Sequence, residues 1–112
     1  MIVEKRRIDD FTVLQVEGVI KLGESARFFA DTLKKVLAED GGHVLVDLSQ
    51  INYIDSTGIG ELVGYLGRFQ AAKRKLILIE PSDQIRKLLR VAHLDELFPI
   101  YDGLEQALAA ES

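Results

Sequence analysis

Residues 44–62 read VLVDLSQINYIDSTGIGEL. An unbroken apolar run, Val44-Leu45-Val46, ends in an acidic and hydroxyl-bearing turn that opens into a glycine-containing segment. Runs without polar alternation are what a strand covered on both faces requires. A second such run, Leu76-Ile77-Leu78-Ile79, follows. The segment between them, Ser56–Ala72, has helical periodicity, so the three pieces form a βαβ unit with a right-handed crossover. Val44–Leu48 and Leu76–Ile79 are therefore expected as adjacent parallel strands.

The turn is also the chemical focus of the chain. A helix N-terminus leaves its first four N–H groups without partners and carries roughly half a unit of positive charge, so Ser56 and Thr57 stand where a phosphate would be well received. Local chemistry allows a plainer role, in which Ser56 or Asp55 caps the helix, since both residue types are preferred there.

Outward from this unit, Met1–Arg7 and Phe11–Gly18 read as two strands joined by a turn at Asp9-Asp10. Both faces of the second carry apolar residues, which places it inside the sheet. Gly18 and Gly23 bracket a loop, Val19-Ile20-Lys21-Leu22. From Ser25 to Glu39, the residues Ala26, Phe29, Ala30, Leu33, Val36 and Leu37 recur every three or four positions, the mark of an amphipathic helix. Asp40-Gly41-Gly42 ends it. Beyond the βαβ unit, Ser82 is placed to cap a helix whose buried stripe is Ile85, Leu88, Leu89 and Ala92. Phe98-Pro99-Ile100-Tyr101 reads as a short last strand. Asp102 and Glu105 have the spacing of a capping box for a terminal helix through Leu108.

Composition narrows the classes of function. At 112 residues, the chain suits one domain with one core. Its net charge of -4 argues against a nucleic-acid footprint. The triplets Lys5-Arg6-Arg7 and Lys73-Arg74-Lys75 read as solvated strand ends. Without cysteine there is no disulfide or thiolate metal site, which fits a reducing cytoplasm. No apolar run approaches the ~20 residues of a membrane span, and the N-terminus lacks a signal-peptide pattern. His43 and His93 lie far apart, near element ends, with no metal-ligand spacing. Gly58-x-Gly60 lacks the third glycine of a dinucleotide loop. No Ser/His/Asp set assembles. These features predict a protein that is not an enzyme and has no metal or cofactor of its own.

Two strands, a helix, Asp47-Leu48-Ser49, then Ile54-Asp55-Ser56-Thr57-Gly58-Ile59-Gly60, a strand, and a helix opened by Pro81-Ser82 resemble the STAS domain of bacterial anti-sigma factor antagonists. The likeness runs from about Val3 to Leu108. It implies a single α/β STAS-like domain over residues 1–112, a mixed sheet of four to five strands with helices packed mainly on one face. It further implies a phosphorylation-controlled binder in the cytoplasm. The unphosphorylated form binds an anti-sigma factor that is also a serine/threonine kinase, phosphorylation ends the binding, and a serine phosphatase restores it. The acceptor is the hydroxyl residue after the Asp, here Ser56. Asp55, Thr57 and Gly58 are its neighbours, with Asp55 as cap or as a group orienting the nucleophile or a kinase-bound metal. The family's Gly-Glu-Leu-Asp-like segment after the second strand is here Gly18-Val19-Ile20-Lys21, so a cation stands where an acid is usual, poised to pair with phosphate or to reject the usual kinase surface. The same fold also serves as a scaffold subunit of stress-signalling complexes and as a subunit that binds a transporter ATPase.

The helix after Ser56 shows two stripes at about 100° per residue. Ile59, Leu62, Val63, Leu66 and Phe69 form the one that must face the sheet. Gly60, Gly64 and Gly67 form another, on the Ser56 side. Each interior glycine costs about 1 kcal/mol relative to Ala, so the stripe requires an offsetting cause. Close packing against a neighbouring helix is one, and a smooth docking surface beside the phosphorylation site is the other. Phe28, on the polar side of the first helix, is a further possible contact.

Overall fold

The chain opens with a hairpin, β1 (Ile2–Ile8) and β2 (Phe11–Ile20), followed by α1 (Glu24–Glu39) and β3 (Val44–Ile54). Then come α2 (Ser56–Ala71), β4 (Leu76–Ile79), α3 (Asp83–Val91), β5 (Ile100–Tyr101) and α4 (Leu104–Glu111). These elements are those of a computed structural model, which describes residues 1–112. The five strands lie in one sheet in chain order, β1-β2-β3-β4-β5. Only β1 and β2 are antiparallel, as a two-residue turn at Asp9-Asp10 dictates. Val44 stands opposite Leu76 and Asp47 opposite Ile79 in parallel register, as the apolar runs predict.

Strand alternation sorts the core into two layers. Leu14, Val16, Val44, Val46, Leu48, Leu76 and Leu78 join α1, α2 and α3 in a cluster of 21 buried residues, whereas Val13, Leu45, Ile77 and Ile79 meet only α4 in a cluster of six. Three helices thus cover one face and a single short one the other.

Several boundaries depart from the sequence reading. β2 does not stop at Gly18, because Val19 and Ile20 pair with Tyr53 and Ile54 of β3, and Ile20 is fully buried. That shortens the expected loop to Lys21-Leu22-Gly23. In α3, Ser82 caps through the Ile85 N–H as expected, but only Ile85 and Leu89 are buried. Leu88 is half exposed and Ala92 lies past the helix end. In α2, Tyr65 enters the core, while Ile59 and Val63 are only partly covered. The final strand keeps only Ile100–Tyr101, with Phe98 buried in the larger cluster. The expected capping box does not form, because the cap residue of α4 is a glycine with no side chain to bond. Asp102 is held by Arg86, Gly103 takes the cap position, and the Gln106 side chain accepts from the Asp102 N–H.

The basic triplets are not merely solvated ends. Arg7 donates to Thr12 Oγ1 and to the Gly41 carbonyl. Arg74 donates from Nε to the Gly42 carbonyl and from Nη1 to the Leu37 carbonyl at 3.1 Å, and lies over the Phe69 ring at 4.7 Å. The guanidinium thereby serves one carbonyl in the last turn of α1 and one in the loop that follows. Its other Nη is buried without a partner, and burial pulls its pKa below the usual arginine value against the opposing charge of Asp40. Lys75 pairs with Glu111 at 2.8 Å, fastening α4. Gly42 has φ +79, and a Cβ there would lie 1.9 Å from the Asp10 carbonyl oxygen, so the loop before β3 packs directly on the hairpin turn.

Candidate functional site

The parallel strands β2 and β3 end side by side, Ile20 opposite Ile54, and the two chains that leave them are tied together at once. The Asp55 N–H donates to the Ile20 carbonyl at 3.1 Å. Its carboxylate then takes two backbone donors, the Gly58 N–H on Oδ1 and the Leu22 N–H on Oδ2, each at 2.9 Å. Asp55 is thus the N-cap of α2, and it also clasps the loop between β2 and α1. These bonds, that from Leu22 foremost and that from Gly58 next, hold the carboxyl below the usual aspartate value. The choice between Ser56 and Asp55 as cap is settled in favour of Asp55.

This corrects one part of the sequence reading. The helix mouth does not offer all its N–H groups to an incoming phosphate, because Gly58 N–H already serves Asp55. Ser56, first residue of α2, is left exposed and without the capping role, while Thr57 is half-buried beside it. Gly58 is buried for a steric reason. A Cβ there would lie 2.7 Å from Ile54 Cγ1, 2.8 Å from Ile20 Cγ2 and 2.9 Å from the Ile20 oxygen, so α2 can start this close to the strand ends only with glycine.

The other glycines behave in the opposite way. Gly60, Gly64 and Gly67 are exposed, and a Cβ at any of them would meet nothing within 4 Å. Close packing against a neighbouring helix is therefore ruled out as their cause. With Ser56 they form one open ridge along α2, spaced by four, four and three residues.

Lys21 lies in the clasped loop and is exposed. Its backbone N–H donates to Ser25 Oγ and its carbonyl accepts from Ser25 Oγ and the Ala26 N–H. None of the three ion pairs involves its ammonium. The adjoining Leu22 is 77% exposed. Nothing in the local sequence marks Leu22 as the partner of Asp55, since the bond uses its main chain. Leu22, Arg27 and Asp31 line a groove together with Thr57 and Glu61 of α2. Phe28 is half exposed on α1, as its place on the helix wheel predicts. His43 is half-buried at the far end of the sheet, where Nδ1 accepts from the Lys75 N–H, and His93 is exposed. No group of three or more His, Cys, Asp or Glu side chains is placed to hold a metal. No helix is long and apolar enough to cross a membrane.

Known proteins share this fold. The chain is 30% identical over 101 residues to an anti-sigma-B factor antagonist of Staphylococcus epidermidis, covering 87% of this chain and 89% of that protein. The crystal structure of a candidate anti-sigma factor antagonist from Thermotoga maritima superposes with a TM-score of 0.90 at 22% identity, covering 97% of this chain and 93% of the other. The Bacillus cell fate determinant SpoIIAA in its phosphorylated form gives 0.76 at 15% identity, covering 97% and 98%. The STAS domain pattern itself matches residues 3–107, with the βαβ unit and the Asp55 turn inside it. The chain belongs to the STAS domain family.

Proposed function

We propose that this protein is an anti-sigma factor antagonist controlled by phosphorylation of Ser56. In the unphosphorylated form it binds, in the cytoplasm, an anti-sigma factor that is also a serine/threonine kinase, using the ridge of Ser56, Gly60, Gly64 and Gly67 with Lys21 beside it. Phosphoryl transfer forms the bond between Ser56 Oγ and the γ-phosphorus of ATP, releases ADP and sheds the hydroxyl proton. The product carries about -1.5 to -2 charges at the contact surface, which ends binding, and a serine phosphatase reverses it. The observation that carries the reading is the division of labour at the start of α2: Asp55 caps, so the adjoining exposed serine is free of structural duty. Relatives named as anti-sigma-B factor antagonists support it, as does a structural neighbour solved both with and without phosphate.

Incubation with the cognate kinase and ATP is expected to add one phosphate, located on Ser56 by mass spectrometry and absent from Ser56→Ala. A phosphate on Thr57, or none on the wild-type chain, overturns the switch. Ser56→Asp is expected to weaken kinase binding in a titration. Gly64→Leu is expected to do the same by steric blockage of the ridge.

A further inference from the structure

We infer that Asp55 couples the switch serine to the loop between β2 and α1, so that a phosphate on Ser56 displaces the Asp55 carboxylate from the Leu22 amide and releases that loop. The inference rests on the Ser56 switch proposed above, and it names Asp55 as a positioning residue.

Lys21-Leu22-Gly23 is held to α1 by local bonds only: Lys21 with Ser25 and Ala26, and the Gly23 carbonyl with the Arg27 N–H. Its own connection to α2 is the hydrogen bond from Leu22 N–H to Asp55 Oδ2. With Leu22 exposed, apolar packing adds little to hold the loop in place. With its ends fixed by β2 and α1, the middle of the loop is thus held to the start of α2 by one carboxylate oxygen.

A phosphoserine at position 56 sets a second, larger anion next to that carboxylate, and both are drawn to the same positive helix end. Like charges this close repel, and Asp55 must give up one of its two donors or hold both more weakly. Packing decides which bond yields. Gly58 is wedged against Ile54 and Ile20 with no room to move, whereas Leu22 lies in solvent. The bond that fails is the one to the loop. Charged groups around the turn, Lys21 on the loop, Arg27 and Asp31 on α1 and Glu61 on α2, are of mixed sign, and none is hydrogen-bonded to Asp55 or Leu22. Because Leu22 and Thr57 line one groove, release of the loop reshapes the groove as well as its rim.

The test uses the full chain with phosphoserine placed at position 56 during synthesis, so no kinase is needed, and follows amide hydrogen exchange at Leu22 and Gly58 by NMR. Phosphoserine is expected to speed exchange at Leu22 about tenfold while Gly58 changes by less than about twofold. A Leu22 rate unchanged by phosphoserine overturns the inference. Asp55→Ser keeps a short cap for Gly58 but cannot span to Leu22, and is expected to free Leu22 without any phosphate. Protection of Leu22 that survives Asp55→Ser overturns the clasp itself. In that variant phosphoserine should add nothing further at Leu22, and an additional acceleration would show a route that bypasses Asp55. Failure of the kinase assay at Ser56 would count against the proposed function and leave these exchange rates standing on their own.

Discussion

The two ends of the parallel sheet are built on different principles. At the end where β2, β3 and β4 begin, Arg7, Arg74, Lys75 and Glu111 draw together α1, the loop before β3, and α4, and Gly42 packs against the hairpin turn without room for a methyl group. At the end where β2 and β3 finish, Gly58 is also tightly packed, but a single aspartate does the side-chain joining and the ridge of α2 that runs from it is open. Fixing one end densely leaves the other to vary its loops and helix starts, which is where ligands of open α/β sheets are usually received.

The contrast fails first if the dense end proves soft. Gly42→Ala forces a Cβ into the Asp10 carbonyl at an unfavourable φ and is expected to cost about 3 kcal/mol or more, read as a lower urea midpoint at unchanged slope. A loss below about 1 kcal/mol would mean that the loop shifts freely. Arg74→Met strips donors from the Leu37 and Gly42 carbonyls and removes the stack on Phe69, and should cost about 2 kcal/mol in the same melt.

Glu111 sharpens the contrast by its pH dependence. Burial disfavours its ionised form, but hydrogen bonds from Lys75 and Tyr101 outweigh this and leave its pKa below the usual glutamate value. A carboxyl depressed on folding adds stability above its unfolded pKa, about 4.3, and loses it as pH falls through the folded value. Glu111→Gln should therefore cost about 1 kcal/mol at pH 7 and flatten the acid side of a stability profile. The same bond raises the pKa of Tyr101, which keeps its proton where a free phenol would lose it.

Effects at the open end run smaller, and one is of opposite sign. Gly64→Ala should stabilise the domain by up to about 1 kcal/mol, because the helix is already formed and the new methyl group meets nothing. A lower urea midpoint would show that the ridge is covered after all. Ser56→Ala should stay within about 0.5 kcal/mol, since Asp55 supplies the cap. A larger loss in thermal melts would return a structural role to Ser56.

Most of the fold was legible because its signals are local. Apolar runs mark β3 and β4, an Asp-Asp turn marks the hairpin, and a 3.6-residue stripe marks α1. What stayed hidden depends on partners distant in the chain. Arg7 and Arg74 look like ordinary surface charges until the last turn of α1 and the loop after it bring their carbonyls within reach. Asp102 fits a capping box until Arg86 claims it. At the candidate site, Asp55 and Ser56 stood out as residue types at a helix start, but only the folded geometry assigns the cap to one of them. The wheel placed Gly60, Gly64 and Gly67 on one side without saying whether anything lay opposite.

The sheet's spatial order is also its order of synthesis. A chain leaving the ribosome can therefore close the β1-β2 hairpin first and add each later strand to an edge already present, with no strand inserted between two finished ones. Every intermediate ends in an open edge awaiting the next segment, so pausing between β3 and β4 would present an exposed template of largely apolar residues. Assembly from the N-terminus predicts that slowed translation in that interval favours aggregation more than the same delay after α3.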